Sequence, residues 1–483
     1  VISALLLTTG CDLFIKTNKG QVDQKWYMGL TYEDDNGNDT DYTIETDGTI
    51  AAVALEDGYG DEFGIIKGEE AYLNINTIIK NIDKRFYVDA TNNLVMFTDA
   101  TKTYKTKIGG KTINETENTD YVISFMDGKN CYVNVKFVKK YVDFDYKVVK
   151  AEGKSPARIV LKYTSGEKNQ MTVKSNIEMR TKADYQNLIV TTLKKNTKVT
   201  VLEESGDWTK VGTDDGFMGY VPAKKLKDKE TKNADTYTHV LMDKKISLGW
   251  NAITNLTANG NLETIIEHTK GLNVISPTWY SLSDNKGNLR SYASATYVEK
   301  AHSKGLKVWA LVNDFGTQDK ASKEYTKKVL TDTTKRENLV DNIMTNIKDY
   351  NLDGINIDFE FINKDIINSY LQFLRELSIE CRKAGKVLSI DNYVPSSGSE
   401  YYDIAHQSLV ADYIIIMSYD EHYAGSKEAG SVSSMTFTEK AVSDAIALTG
   451  DASRVINGMP FYTRAWITTP ATDGKKGEGV YVE

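Results

Sequence analysis

Cysteine and histidine are scarce in this chain, and their spacing excludes more than their number does. The three cysteines, Cys11, Cys131 and Cys381, lie too far apart for a metal-ligand cluster, and any single disulfide would leave an odd thiol. The five histidines form no HExxH or similar helical pair. Neither a structural metal nor a cofactor is expected. An excess of positive charge is also lacking: 59 Lys and Arg stand against 67 Asp and Glu, for a formal net charge of −8 and a pI near 5.5. That balance argues against a nucleic-acid partner. Long apolar runs are missing too. The apolar start, residues 1–7, is soon followed by Thr8, Cys11 and Lys16 and falls short of a bilayer span. Residues 1–20 are expected to be the remnant of a signal peptide or membrane anchor, with a short buried core segment as the alternative. In a lipoprotein Cys11 would carry the lipid, although Thr8 stands where such signals usually have an aliphatic residue.

With 483 residues the chain is long enough for several domains. Residues 21–165 are rich in Tyr, Thr, Val, Asp, Asn and Gly in short alternating runs, a composition of strands and turns. Tyr72-Leu73-Asn74-Ile75-Asn76 lies 60 residues before Tyr132-Val133-Asn134-Val135-Lys136, and this offset suggests a duplication. These units resemble copper amine oxidase N-terminal-like modules of bacterial surface proteins, without copper ligands, which implies α+β modules in a spacer or wall-adhesion role. Residues 170–228 resemble a small bacterial SH3-like β-barrel: Met179-Arg180, residues 198–202, the run around Trp208 and Gly219-Tyr220-Val221 fall in that order. Such modules commonly bind cell-wall glycan or peptide, and Trp208 is either core or a stacking surface. Residues 229–241, polar and mixed in charge, read as a linker.

From residue 242 onward, apolar runs at 246–250, 272–277, 306–312, 352–360, 387–393, 413–419 and 455–461 alternate with amphipathic stretches such as 333–350 and 364–384. Strict alternation predicts an α/β (β/α)₈ TIM barrel with its reactive groups at strand C-termini. Seven strands are read, so the barrel is expected to be cut before its eighth.

The most informative stretch is 352–361, Leu-Asp-Gly-Ile-Asn-Ile-Asp-Phe-Glu-Phe. As a strand it places Asn356, Asp358 and Glu360 on one face and Ile355, Ile357, Phe359 and Phe361 on the other. Helical patterns on both sides suggest a covered parallel strand, where two carboxylates are costly unless they pair or shift their pKa. Same-face neighbours lie about 6.6 Å apart along a strand, so an ionised Asp358 is expected to keep Glu360 protonated as a general acid. The alternative is a solvated edge strand.

This string resembles the signature of glycoside hydrolase family 18, the chitinase and endo-N-acetylglucosaminidase family, through Asp353, Asp358 and Glu360. Asn356 stands where many chitinases carry a further Asp, which is similar to bacterial cell-wall and spore-cortex members. The resemblance implies a substrate-assisted retaining glycosidase: Glu360 as acid, Asp358 orienting the substrate's acetamido group, and Asp353 and Asn356 supporting Asp358. Met417-Ser418-Tyr419-Asp420 resembles the sixth-strand motif, with Tyr419 donating to the acetamido oxygen and Met417 and Asp420 lining the cleft. Tyr462 and Arg464 look like seventh-strand cleft residues. By their place at strand ends, Trp279, Tyr280, Asn313, Asp391 and Asn392 are weaker substrate-binding candidates; His422 and Tyr423 read as a solvated loop. The implied partner is a carbohydrate polymer, peptidoglycan or chitin, met by a monomer outside the bacterial cell and held at the wall through the SH3-like domain. Endo-acting enzymes of N-glycan cores and non-catalytic glycan-binding proteins compete with this reading. With Asn at 356, no carboxylate is expected to share a proton with Asp358, which should then stay ionised to lower pH.

Overall fold

The computed structural model describes residues 17–55, 58–142, 144–163, 169–230, 239–316, 320–468 and 479–482. Residues 1–16 of the expected leader, with Cys11, and positions 231–238 of the expected linker lie outside these residues. The chain divides into two units, one of residues 1–88 and 105–236, the other of 89–104 and 237–483.

In the first unit a seven-stranded mixed sheet runs in the order 124–127, 130–134, 70–74, 64–67, 49–54, 157–163 and 144–149. The two stretches read as a repeat are its second and third strands. Glu70–Asn74 pairs antiparallel with Asn130–Asn134 so that Leu73 faces its own counterpart Val133, while Tyr72 faces Asn134 and Asn74 faces Tyr132. Each strand ends on an Asn whose side chain caps the turn that follows, Asn74 on the amide of Asn76 and Asn134 on that of Lys136. A second, antiparallel sheet carries residues 169–230. Met179, Val199, Val211 and Val221 from this sheet join Ile65, Tyr72 and Tyr132 in one buried cluster, so the two modules share a core. Trp208 is half-buried, edge-on to Tyr185 at 4.8 Å between ring centroids.

In the second unit seven parallel strands stand in chain order: β1 Leu248–Asn251, β2 Val274–Pro277, β3 Lys307–Asn313, β4 Gly354–Asp358, β5 Val387–Tyr393, β6 Tyr413–Met417 and β7 Val455–Gly458. Helices lie between them: α1 Leu262–His268, α2 Ala295–Ser303, α3 Lys320–Leu330, α4 Thr333–Asp349, α5 Ile367–Ala384, α6 Ile404–Val410 and α7 Met435–Thr449. This arrangement is consistent with a TIM barrel. Among the described residues β1 and β7 are not paired with each other, so the sheet is open between them. Even-numbered apolar residues such as Ile390, Ile414 and Ile416 join odd-numbered Ile355, Ile357 and Phe359 in the core under the helices. On the inner face Trp309 stacks on Tyr413 at 5.4 Å and, with Val274 and Val387, fills the barrel below the strand ends. The parity expected of 352–361 fails at its last position: Phe361 is partly exposed, because the strand has ended, and Ile362 is buried instead.

Residues 89–104 belong with the barrel although they precede it by more than a hundred positions. Asp89 accepts the Thr333 amide at 2.6 Å at the start of α4, and Asn92 donates to Asp332 at 3.0 Å. Gln372 on α5 donates to Thr98 at 2.8 Å, and Arg382 donates to the carbonyl of Ala100 at 2.9 Å. Asp89 is fully buried, so its loss would leave helix-end donors both dry and unpaired. Asp89→Ala is expected to destabilise this unit by about 2–3 kcal/mol, the sum of a lost cap and a buried unsatisfied donor. Hydrogen–deuterium exchange at the strand amides of the barrel reads that change; unaltered exchange would show that residues 89–104 are not an integral part of the unit.

Candidate active site

Inward-facing residues converge at the C-terminal ends of β3, β4, β5 and β6. Register sets Asn313 beside Asp358, and on the other side Ile357 pairs with Ile390, so the next rung sets Asp358 beside Asp391. All three are buried. Asn356, one inward position below Asp358, is fully enclosed: its amide nitrogen donates to Asp391 Oδ1 at 2.8 Å, while its oxygen accepts from the Trp250 indole at 3.0 Å and from Ser276 at 3.4 Å. Gly458 makes room for that indole, since a Cβ there would lie 2.9 Å from the ring.

Glu360 stands just beyond the strand and is half-buried. Its backbone amide, with that of Phe361, donates to Asp314 at 2.9 and 3.1 Å, and Asp314 also accepts from Thr326 at 3.0 Å. Tyr402 donates to the Glu360 carbonyl at 3.1 Å, and Tyr393 donates to the Glu360 carboxylate. The peptide is thus held from both sides while the carboxylate reaches the open end of the sheet. Tyr419 lies at the same end, edge-on to Tyr462 at 6.3 Å, and Asp420 accepts from Tyr462 at 2.8 Å and from Arg464. Met417 is on the inner face with Ile415 and Tyr419. A cavity of about 240 Å³ opens between β1 and β7, lined by Trp250, Tyr419, Gly458, Phe461 and Tyr462 among others, beside the carboxylates rather than over them.

Removal from water dominates the electrostatics. Asp314 is pushed up to about 6 by burial, against the pull of the two amides and Thr326. Asp391 is pushed up to about 8 by burial, with the Asn356 amide and Trp250 indole pulling down and the Glu360 charge pushing up. Asp358 is also raised, by burial first and then by Asp391, Glu360 and Asp314. The expectation of an Asp358 ionised to low pH, free of any coupled carboxylate, is therefore overturned. The partner comes from β5 instead of from position 356.

Four other sequence candidates fall elsewhere. Asp353 sits at the opposite end of β4, where it accepts from the Val308 amide and Lys307 at 2.9 Å and meets His302 at 2.8 Å, so it does not support Asp358. Trp279 follows a break in the second strand; its ring faces the helix layer, edge-on to Tyr297 at 5.0 Å, and its indole donates to Asn259. Tyr280 is buried in the same core. Asn392 has the parity of Ile390 and pairs with Gln407 on α6, away from the cleft. His422 and Tyr423 lie in a loop, with Tyr423 exposed. The residues missed, Trp250, Asp314, Tyr393 and Tyr402, carry unequal signals. Alternation of Leu388 and Ile390 with Ser389, Asp391 and Tyr393 marks the inner face of β5, whereas nothing local marks Asp314.

A carboxylate held at the end of a parallel barrel strand beside buried acids offers the groups that acid catalysis needs. The chain belongs to the glycosyl hydrolases family 18: that family's model matches residues 216–482, more than half of the chain. The bacterial SH3 domain model matches residues 175–227. The overlap of the two goes with the SH3 domain, since Met218–Pro222 pairs in its sheet. The Bacillus subtilis protein YdhD, provisionally named a sporulation-specific glycosylase, is 34% identical over 152 residues, which cover 30% of this chain and 35% of that protein. YvbX of the same species, named an uncharacterised glycosylase, is 26% identical over 209 residues, 40% of this chain and 58% of that one. The chain thus spans only part of the length of the curated relatives it matches. Among solved structures, that of the Bacillus cereus spore cortex-lytic enzyme SleL aligns with a TM-score of 0.42 at 18% identity, covering 56% of this chain and 59% of that one.

Asp314 accepts from both amides at the turn that carries Glu360. Asp314→Ala should lower kcat by about 10²-fold, the cost of a misplacement near 1 Å, with KM changed much less. Steady-state kinetics on a soluble oligosaccharide reads the split, and a raised KM with kcat unchanged would assign Asp314 to substrate binding instead.

Proposed function

We propose that this chain is a glycoside hydrolase that cleaves β-1,4 linkages in polymers containing N-acetylglucosamine, with peptidoglycan as the foremost substrate. The observation that supports the reading is a buried Asp358 followed two residues on by a Glu360 whose peptide is clamped by Asp314 and Tyr402 and whose carboxylate accepts from Tyr393. Family 18 enzymes stand apart from the two-carboxylate scheme by using the substrate's own acetamido group as nucleophile. Glu360 gives its proton to the glycosidic oxygen while the acetamido carbonyl oxygen attacks the anomeric carbon and the leaving sugar departs. The cyclic oxazolinium ion faces Asp358, whose negative charge is worth most where water is excluded. Tyr419 donates to the acetamido oxygen. Water then attacks the anomeric carbon, gives its proton to Glu360 and reopens the ring with retention.

Support for peptidoglycan comes from the bacterial SH3 domain in the same chain and from likeness to a protein named for sporulation. The SH3 domain holds the enzyme at the wall, which raises the local concentration of substrate. Chitin and N-glycan cores carry the same acetamido group and are the second reading, and a glycan-binding protein without turnover is the third.

Digestion of purified peptidoglycan should release fragments with N-acetylglucosamine at the new reducing end, identified by borohydride labelling and mass spectrometry. Glu360→Gln should lower the rate by roughly 10² to 10⁴, the usual contribution of a general acid, with substrate binding retained. Near-normal turnover in that variant would sink the site; cleavage of chitin alone would move the substrate to the second reading.

A further inference from the structure

We propose that Asp391 is the proton partner of Asp358: the two carboxyl groups, side by side on β4 and β5, hold one proton between them, and Asp391 keeps it while Asp358 faces the oxazolinium ion. This rests on the reading of the site as a substrate-assisted glycosidase.

Geometry carries the assignment. The register that pairs Ile357 with Ile390 brings Asp358 and Asp391 to adjacent strands at the same height, about 4.8 Å apart in the sheet. Both point inward. One oxygen of Asp391 is bound by the Asn356 amide, which is in turn locked by Trp250 and Ser276. The other, Oδ2, is buried with no hydrogen-bond partner, and so is Asp358 Oδ1. Two unpaired carboxyl oxygens at neighbouring positions in a dry site cannot both belong to carboxylates without severe repulsion, and a single proton between them meets both deficits. Asn356 has no proton to lose, so it fixes Asp391 in place without competing for the shared one.

The groups that face this pair are Glu360 beyond β4, Asp314 beyond β3, Tyr419 beyond β6, Tyr393 on β5, and the buried Tyr370 and Tyr402 on the helix side; Trp250 and Asn356 are the neutral donors. No cation is among them, so the proton is what lowers the charge. Through the reaction the pair keeps one negative charge. When the acetamido oxygen attacks and Glu360 protonates the leaving oxygen, the shared proton rests on Asp391 and the charge on Asp358 stands against the oxazolinium ion. When water reopens the ring, the proton is shared again, and none has entered or left the pair. Asp391 touches no reacting atom and is a positioning residue.

Asp391→Asn tests this, because the amide keeps the bond from Asn356 and the volume but removes the acid. At pH 7 the infrared band of un-ionised carboxyl should be present in the wild type and lose the Asp391 share of its intensity in the variant, the remainder belonging to Glu360. Asp391 has a folded pKa of about 8, above its unfolded value near 4, so its contribution to stability is complete at low pH and is lost as pH rises between those values. The fall in Tm over that window should therefore be smaller in the variant. An amide is a weaker donor to Asp358 than a carboxylic acid, so the acid limb of kcat/KM should move up by about one pH unit and kcat should fall about 10-fold. The exchange Asn356→Asp with Asp391→Asn returns an acid to the pair and keeps the bonds from Trp250 and Ser276. It should restore the limb and most of kcat. A purely structural Asp391 would give a benign single variant and no gain in the exchange. Glu360→Gln is assayed alongside: if it is inactive while Asp391→Asn keeps the wild-type infrared band and pH profile, only the proton partner falls. If Glu360→Gln is active, the glycosidase reading itself falls.

Discussion

Carboxyl groups taken out of water at one end of a parallel sheet set the terms for everything around them. Asp314, Asp358 and Asp391 are all buried within a few ångströms of the strand ends. Each would be destabilising alone. Two amides and a threonine meet Asp314, one amide side chain meets Asp391, and Asp358 is left with a lone oxygen and a neighbour of like kind. The polar residues of this region are therefore placed by the need to hold charge in a dry site, and the same dryness makes a fixed negative charge useful against a cationic intermediate.

How far this was legible from the chain depends on which rule each residue obeys. Alternation along 354–358 needs nothing but the pleat, and it brought out Asn356, Asp358 and the helix-facing Ile355 and Ile357. The rule that reactive groups sit at strand ends is weaker, because it fixes height but not face. It selected Asn392, which points at α6, equally with Asp391, which points at Asp358. Trp279 was selected by the same rule, although it has the parity of Ile275 and lies with it in the core under the helices. Asp353 shows a second failure, since a motif position says nothing of which end of the strand it occupies. Trp250 and Asp314 act through contacts more than forty residues away in sequence, and no local pattern encodes those.

At the front of the chain, two strands were legible for the same reason as β4. A repeat at a fixed offset became a pair of strands that face each other about a local twofold, with an Asn at each end doing the same capping. What the sequence did not disclose is that the SH3 sheet shares its core with this duplicated sheet. Side chains from both are apolar in either case, and apolar pattern does not name its partner.

The docking of residues 89–104 on α4 and α5 has a temporal side. Thr98 and Gln372, bonded in the finished unit, are separated by 274 residues. At translation speeds of about 5–20 residues per second, Thr98 leaves the ribosome on the order of 10 to 60 s before its partner exists. The hairpin cannot reach its final environment until Gln372 has been made. Until α4 and α5 have been made, Asp89 and Thr98 have water in place of the bonds they later accept from Thr333 and Gln372.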